Sequence, residues 1–267
     1  MENAITITKD IVYKDDLKLD IYSGTNNKGA IIDIHGGGWF HGDKMKDEDL
    51  ATRLAQEGYF VIVPNYRLTP SGTYPAGKED ILASLEWLKN SDYVFDRNKI
   101  VAWGTSAGGN ISVEVALVTG IPAISWSGII DLEGFILETD GKATEKKDDI
   151  DFANISSASI NQGGRNDAFL RWCIYSLIGN DRSLLKEATP LTRVSAKSGP
   201  IYMANSMNEF VPADGALKMQ RALLDVGVPT TVQLVTGTLH AKGYMADAID
   251  ASLSFLDTFL HNRKVEN

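Results

Sequence analysis

The feature that most limits what this chain can fold into is a series of short, unbroken apolar runs: AIIDI (30–34), YFVIV (59–63), KIVAW (99–103), PAISW (122–126), PIYMA (200–204) and TVQLV (231–235). A strand with one wet face alternates polar and apolar residues. A continuous apolar run of this length suits a strand buried on both faces, as in a parallel sheet covered by helices. Between the runs, residues 47–57, 76–90, 106–118, 213–226 and 244–261 carry apolar positions at helical spacing, the last through Tyr244, Ala248, Leu253, Leu256 and Leu260. Ahead of them, ITITKDIVY and LKLDIY alternate and meet at Lys14-Asp15-Asp16, which reads as a starting hairpin. Strand and helix in alternation after a hairpin predict an α/β fold with a mostly parallel central sheet and helices on both faces. No internal repeat is present.

One segment interrupts the rhythm. Residues 132–188 separate two predicted strands by far more than one helix and contain ETDGKATEKKDDID, SSASINQGGRN and a helical apolar piece from Phe169 to Ile178. Being short of core-forming residues, the segment reads as a cap-like or lid-like insertion over one end of the sheet, within a single domain spanning 1–267.

Composition narrows the function classes. A chain of 267 residues that is 43% hydrophobic can bury a large core, and its net charge of −9 disfavours nucleic acid and anionic membrane surfaces as partners. The one cysteine, Cys173, has no partner for an internal disulfide, and no cluster of residues has metal-ligand spacing. MENAITITKD lacks the pattern of a signal peptide, and no run of ~18 apolar residues offers a membrane span. The expectation is a soluble cytoplasmic protein, monomer or homo-dimer, acting on a small molecule.

Two glycine clusters carry the chemistry. WGTSAGGN (103–110) follows KIVAW and opens the predicted helix, so Ser106 lies on a sharp strand-to-helix turn beyond the carboxyl end of a strand. Chance alone yields Gly-x-Ser-x-Gly about 0.15 times in a chain like this, so the context is what gives the motif weight. His35-Gly36-Gly37-Gly38-Trp39 follows AIIDI, and His-Gly-Gly-Gly has a chance expectation of only about 0.003. Three glycines in a row cost backbone entropy, and presenting bare N–H groups to an oxyanion is a use that offsets it. The cluster has neither Gly-x-Gly-x-x-Gly nor a P-loop Lys-Ser/Thr, so a phosphate loop is disfavoured.

HGGGW, YRLTP with YPAGKEDI (66–81) and GTSAGGN together resemble the hormone-sensitive-lipase-like carboxylesterases of the α/β-hydrolase superfamily. The resemblance implies about eight strands, a Ser–acid–His triad, no cofactor, oxyanion amides at Gly37, Gly38 and Ala107, and scaffold roles for Tyr66 and Asp80. In this fold the acid and then the histidine follow the serine along the chain. Of the two later histidines, His261 sits in FLHNRKVEN at a helix end, whereas His240 follows TVQLV and Gly237 in a loop at the catalytic end. His240 is the expected base, His35 an anchor of the glycine loop, and His41 a neighbour of the site entrance.

The acid departs from the family pattern. The loop after PIYMA reads Ser206-Met207-Asn208-Glu209-Phe210-Val211-Pro212; counted from the strand, Glu209 takes the usual Asp position, and counted from Val-Pro, Asn208 does. Only Glu209 supplies the charge that orients and stabilises an imidazolium. Asp214 reads as a first-turn helix residue and Asp131 as the residue closing another strand, both standing as alternatives. The expected function is a serine carboxylesterase for short-acyl, water-soluble esters. An amidase, formamidase or small-peptide hydrolase with the same triad is the enzyme alternative. A non-catalytic binding protein on a hydrolase scaffold is the other class.

Overall fold

A computed structural model describes residues 4–25, 27–147, 150–152 and 154–260. Eight strands form one sheet: β1 (Thr6–Lys14), β2 (Leu17–Ser23), β3 (Ala30–Ile34), β4 (Phe60–Pro64), β5 (Ile100–Thr105), β6 (Ala123–Trp126), β7 (Ile201–Ser206) and β8 (Thr230–Val235). Their spatial order is β1-β2-β4-β3-β5-β6-β7-β8. β1 and β2 pair antiparallel, as do β2 and β4; every later pairing is parallel. The hairpin and the apolar runs thus lie where the sequence predicts.

Successive side chains of a strand point to opposite faces, and the core divides accordingly. Ala30, Ile32 and Ile34 of β3 join one buried cluster, Ile31 the other. The first face is covered by α2 (Ala76–Asn90), α3 (Ala107–Thr119) and α7 (Asp214–Asp225), the second by α1 (Glu48–Gln56) and α8 (Met245–Leu260). Each of these helices lies within two residues of its predicted limits.

Three expectations need correction. TVQLV is not buried on both faces: among the described residues β8 is an edge strand with no neighbour beyond it, and its residues are half-buried or exposed. Asp131 does not close a strand. β6 ends at Trp126, and Asp131 is the N-cap of α4 (Leu132–Glu138), its carboxylate accepting from the Gly134 N–H at 2.9 Å. Nor is the segment 132–188 poor in core residues. Phe135 and Ile136 of α4, and Phe169, Leu170, Cys173, Ile174 and Leu177 of α5 (Asp167–Leu177), are buried in the larger core cluster. The helical piece expected from Phe169 is α5; the apolar face of α4, next to the charged stretch, is what the sequence reading passed over. A last short helix, α6 (Leu185–Ala188), leads back toward β7.

Candidate active site

The turn after β5 is built by backbone contact. Ser106 has φ 54° and ψ −117°, a conformation costly for a residue with a Cβ, and its N–H donates to Trp126 O at 2.7 Å. The glycines around it are spatial necessities. A Cβ on Gly104 would lie 2.1 Å from Gly108 O, and one on Gly108 would lie 1.9 Å from Ile34 O. The start of α3 therefore sits directly on β3 and β5, leaving Ser106 at the helix N-terminus, where partial positive charge collects.

His240 follows β8 and is buried, with 3% of its surface exposed. Its Nδ1 lies 2.5 Å from Glu209 Oε2. The other carboxylate oxygen, Oε1, accepts from Ser127 Oγ at 2.9 Å, Asn205 Nδ2 at 3.0 Å and the Ser206 N–H at 2.9 Å. A buried carboxylate is costly unless its lone pairs are occupied, and here both oxygens are. Asn208 is exposed, with its N–H donating to Gly237 O. Asp131 and Asp214 both pair with Lys218, at 2.8 Å and 2.7 Å, away from His240. Of the four residues weighed, only Glu209 meets the imidazole. His261 lies outside the described residues.

Sequence reasoning missed the residues that hold this pair. Ser127, itself at φ 54°, shares a hydrogen bond with Tyr244 Oη at 2.7 Å and accepts from the Ala241 N–H at 2.8 Å, so one hydroxyl joins Glu209 to the histidine loop. Gln162, from the segment 132–188, clamps the His240 backbone from both sides: Oε1 accepts from its N–H at 2.8 Å and Nε2 donates to its carbonyl at 3.0 Å. Lys242 is buried too, donating to Lys46 O at 2.6 Å and pairing with Asp47 at 3.1 Å and with Asp49. Burial, reinforced by the Asp47 charge, pushes the Asp33 carboxyl on β3 well above the usual carboxylate range. None of these has a local signature; the fold brings them in from distant positions.

The glycine loop borders the same space. Gly36, Gly37 and Gly38, Ser106 and His240 line one cleft of about 680 Å³, counted out to its open mouth. Its apolar wall includes Trp39, Phe40, Phe169, Leu170 and Phe210. Gly37 and Gly38 have φ of 125° and 58°, the region open to glycine. His35 anchors the loop from below: Tyr66 Oη donates to its carbonyl at 2.9 Å and the two rings stack at 4.4 Å. Asp80 is a scaffold residue, bound to Arg67 and Lys14. Among the described residues no group of three or more His, Cys, Asp or Glu has metal-binding geometry, and no helix is long and apolar enough to cross a membrane.

Residues 19–223 match the BD-FAE family. The chain is 28% identical over 250 residues to a versiconal hemiacetal acetate esterase of Dothistroma septosporum, covering 85% of this chain and 71% of that protein. It is 25% identical over 237 residues to an arylesterase of Saccharolobus solfataricus, covering 85% and 72%. Among solved structures, a truncated carbohydrate esterase from gut microbiota superimposes with a TM-score of 0.78 at 18% identity, covering 98% of each chain. That likeness carries the α/β-hydrolase fold.

Proposed function

The chain belongs to the BD-FAE family, and from that premise we propose that it is a serine carboxylesterase hydrolysing short-acyl, water-soluble esters through an acyl-enzyme. The observation that carries this reading is the 2.5 Å contact between His240 Nδ1 and Glu209 Oε2, with Ser106 on a strained turn in the same cleft. Ser106 Oγ attacks the ester carbonyl carbon while His240 Nε2 takes its proton. Glu209 keeps the proton on Nδ1 and stabilises the imidazolium. The N–H groups of Gly37, Gly38 and Ala107 hold the tetrahedral oxyanion. His240 then returns the proton to the departing alcohol, and water repeats the sequence on the acyl-enzyme to release the acid.

Residues 132–188 act as a cap on the cleft, contributing Ile160, Phe169, Leu170 and Cys173 to its lining. Their apolar side chains turn inward. Leu137 is the one large hydrophobic residue of the described cap that is well exposed, which supports soluble esters over lipid aggregates. The reading takes the enzyme as cytoplasmic, monomeric or homo-dimeric, and cofactor-free.

A fluorophosphonate probe and matched p-nitrophenyl esters and anilides test it. The wild type should label at Ser106 and hydrolyse the ester faster than the amide. No labelling would favour a binding protein, and a preference for the anilide would favour an amidase.

A further inference from the structure

His41 lies two residues past HGGGW, and the proposed mechanism leaves it unused. Its Nδ1 makes a short hydrogen bond with the Gly37 carbonyl oxygen, which also accepts from the Phe40 and His41 N–H groups, each at 3.2 Å. The C=O of Gly37 and the N–H of Gly38 belong to one peptide unit. In a trans peptide the two point in opposite directions, so whatever pins the carbonyl also aims the N–H. Glycine on both sides offers little resistance to rotation of that plane. The direction of the Gly38 N–H is therefore set by what binds the Gly37 carbonyl.

We infer that His41 is a positioning residue for the oxyanion site, holding the Gly37–Gly38 peptide so that the Gly38 N–H faces the cleft. The inference rests on the esterase reading. The imidazole is itself fixed, stacked on Phe40 at 4.4 Å and edge-on to Phe152 at 4.2 Å. Burial pushes its pKa down to about 4, so at neutral pH it carries one ring proton. A carbonyl partner at Nδ1 selects the tautomer with that proton on Nδ1. Glycine is required at position 37, since a Cβ there would lie 1.9 Å from His41 O.

The test uses the full chain with His41→Phe, His41→Leu and His41→Asn, the last keeping a side-chain donor close to the Nδ1 position. Without the donor, kcat on p-nitrophenyl acetate should fall by about 10- to 100-fold with KM within about twofold, because the ground-state carbonyl depends little on the oxyanion amides. Affinity for a trifluoromethyl ketone, whose hemiketal oxygen mimics the oxyanion, should weaken in parallel. His41→Asn should recover most of both. Nitrogen-15 NMR of the wild type should show His41 protonated at Nδ1, a readout independent of variant folding and of activity. An Nε2–H tautomer, unchanged kcat in a folded donorless variant, unchanged ketone affinity, or His41→Asn as slow as His41→Phe would each overturn the inference. A wild type inert toward esters would overturn the esterase reading, and the tautomer would still report on the contact.

Discussion

Glu209 Oε2 stands 2.5 Å from His240 Nδ1, while Oε1 of the same carboxylate is held by three donors, from Ser127, Asn205 and the Ser206 backbone. The carboxylate is thereby fixed in position before the imidazole meets it. Glu209→Gln should slow turnover by about 10²–10⁴-fold, because the amide cannot stabilise the imidazolium and can present its NH₂ to Nδ1. Glu209→Asp, one methylene shorter, cannot reach both Ser206 N and His240, and should also lose activity despite its charge. Steady-state kinetics with a thermal-unfolding control check both; a fully active Glu209→Gln would remove Glu209 from the proposed triad.

Ser106→Ala and His240→Ala should each lower kcat by roughly 10³-fold or more. The double variant should be little worse than either single one, because the two residues act as a unit. Additive losses in the double variant would mean that they do not.

Gln162 gives the segment 132–188 a direct hold on the proposed base. Gln162→Ala removes two hydrogen bonds to the His240 backbone and should reduce kcat by about tenfold, since small misplacements of a catalytic group are costly. It leaves KM for a small acetate ester nearly unchanged. An unchanged kcat would show that the loop's remaining contacts, among them those of Ser127, Thr238 and Lys242, hold its shape without the Gln162 side chain.

Much of this was legible in the sequence, for a physical reason. β3 to β7 sit inside the sheet under helices on both faces, so AIIDI and KIVAW are apolar but for the buried Asp33 and for Lys99, which precedes β5. The same reasoning failed for β8, whose run of similar character lies at an edge. The positions of Ser106 after β5 and His240 after β8 were readable because strand ends and chain order place them. Ser127, Tyr244 and Gln162 were not, since an ordinary serine, tyrosine or glutamine gains its role only from what the fold sets against it. Asp131 was misread because a strand end and a helix N-cap favour the same residue. The segment 132–188 was misjudged as poor in core residues because its charged stretch outweighs the short apolar face of α4, although the helix from Phe169 was legible.

Asp80 should give the fold an acid-sensitive joint. Burial alone would raise its pKa, but hydrogen bonds from the Arg67 and Lys14 side chains outweigh that and hold it below the usual carboxylate range. A depressed folded pKa contributes stability that is complete above the unfolded pKa of about 3.9 and is lost as pH falls through the folded value. Asp80→Asn should cost about 1.5–3 kcal/mol at pH 7 and flatten the acid limb of stability below about pH 4. Urea unfolding across pH 2.5–7 measures it; parallel curves for the two proteins would contradict the assignment.

On one chromogenic alcohol, acyl chains of about two to six carbons should be turned over better than long ones, with no jump in rate when substrate forms micelles. The inward-facing cap offers little apolar surface to an interface. A kcat/KM that climbs steadily with chain length would show a deeper acyl site than the cleft suggests.

The residues of the proposed site come from the ends of β3, β5, β7 and β8, so that no stretch shorter than residues 37–240 contains them all. On the proposed triad, half a chain should therefore be not a weak enzyme but none at all. During refolding, turnover can return only when the edge strand has docked and carried His240 to Glu209. Hydrolysis of a chromogenic ester is accordingly a late clock for assembly of the whole sheet, whereas far-UV ellipticity responds as soon as the helices form.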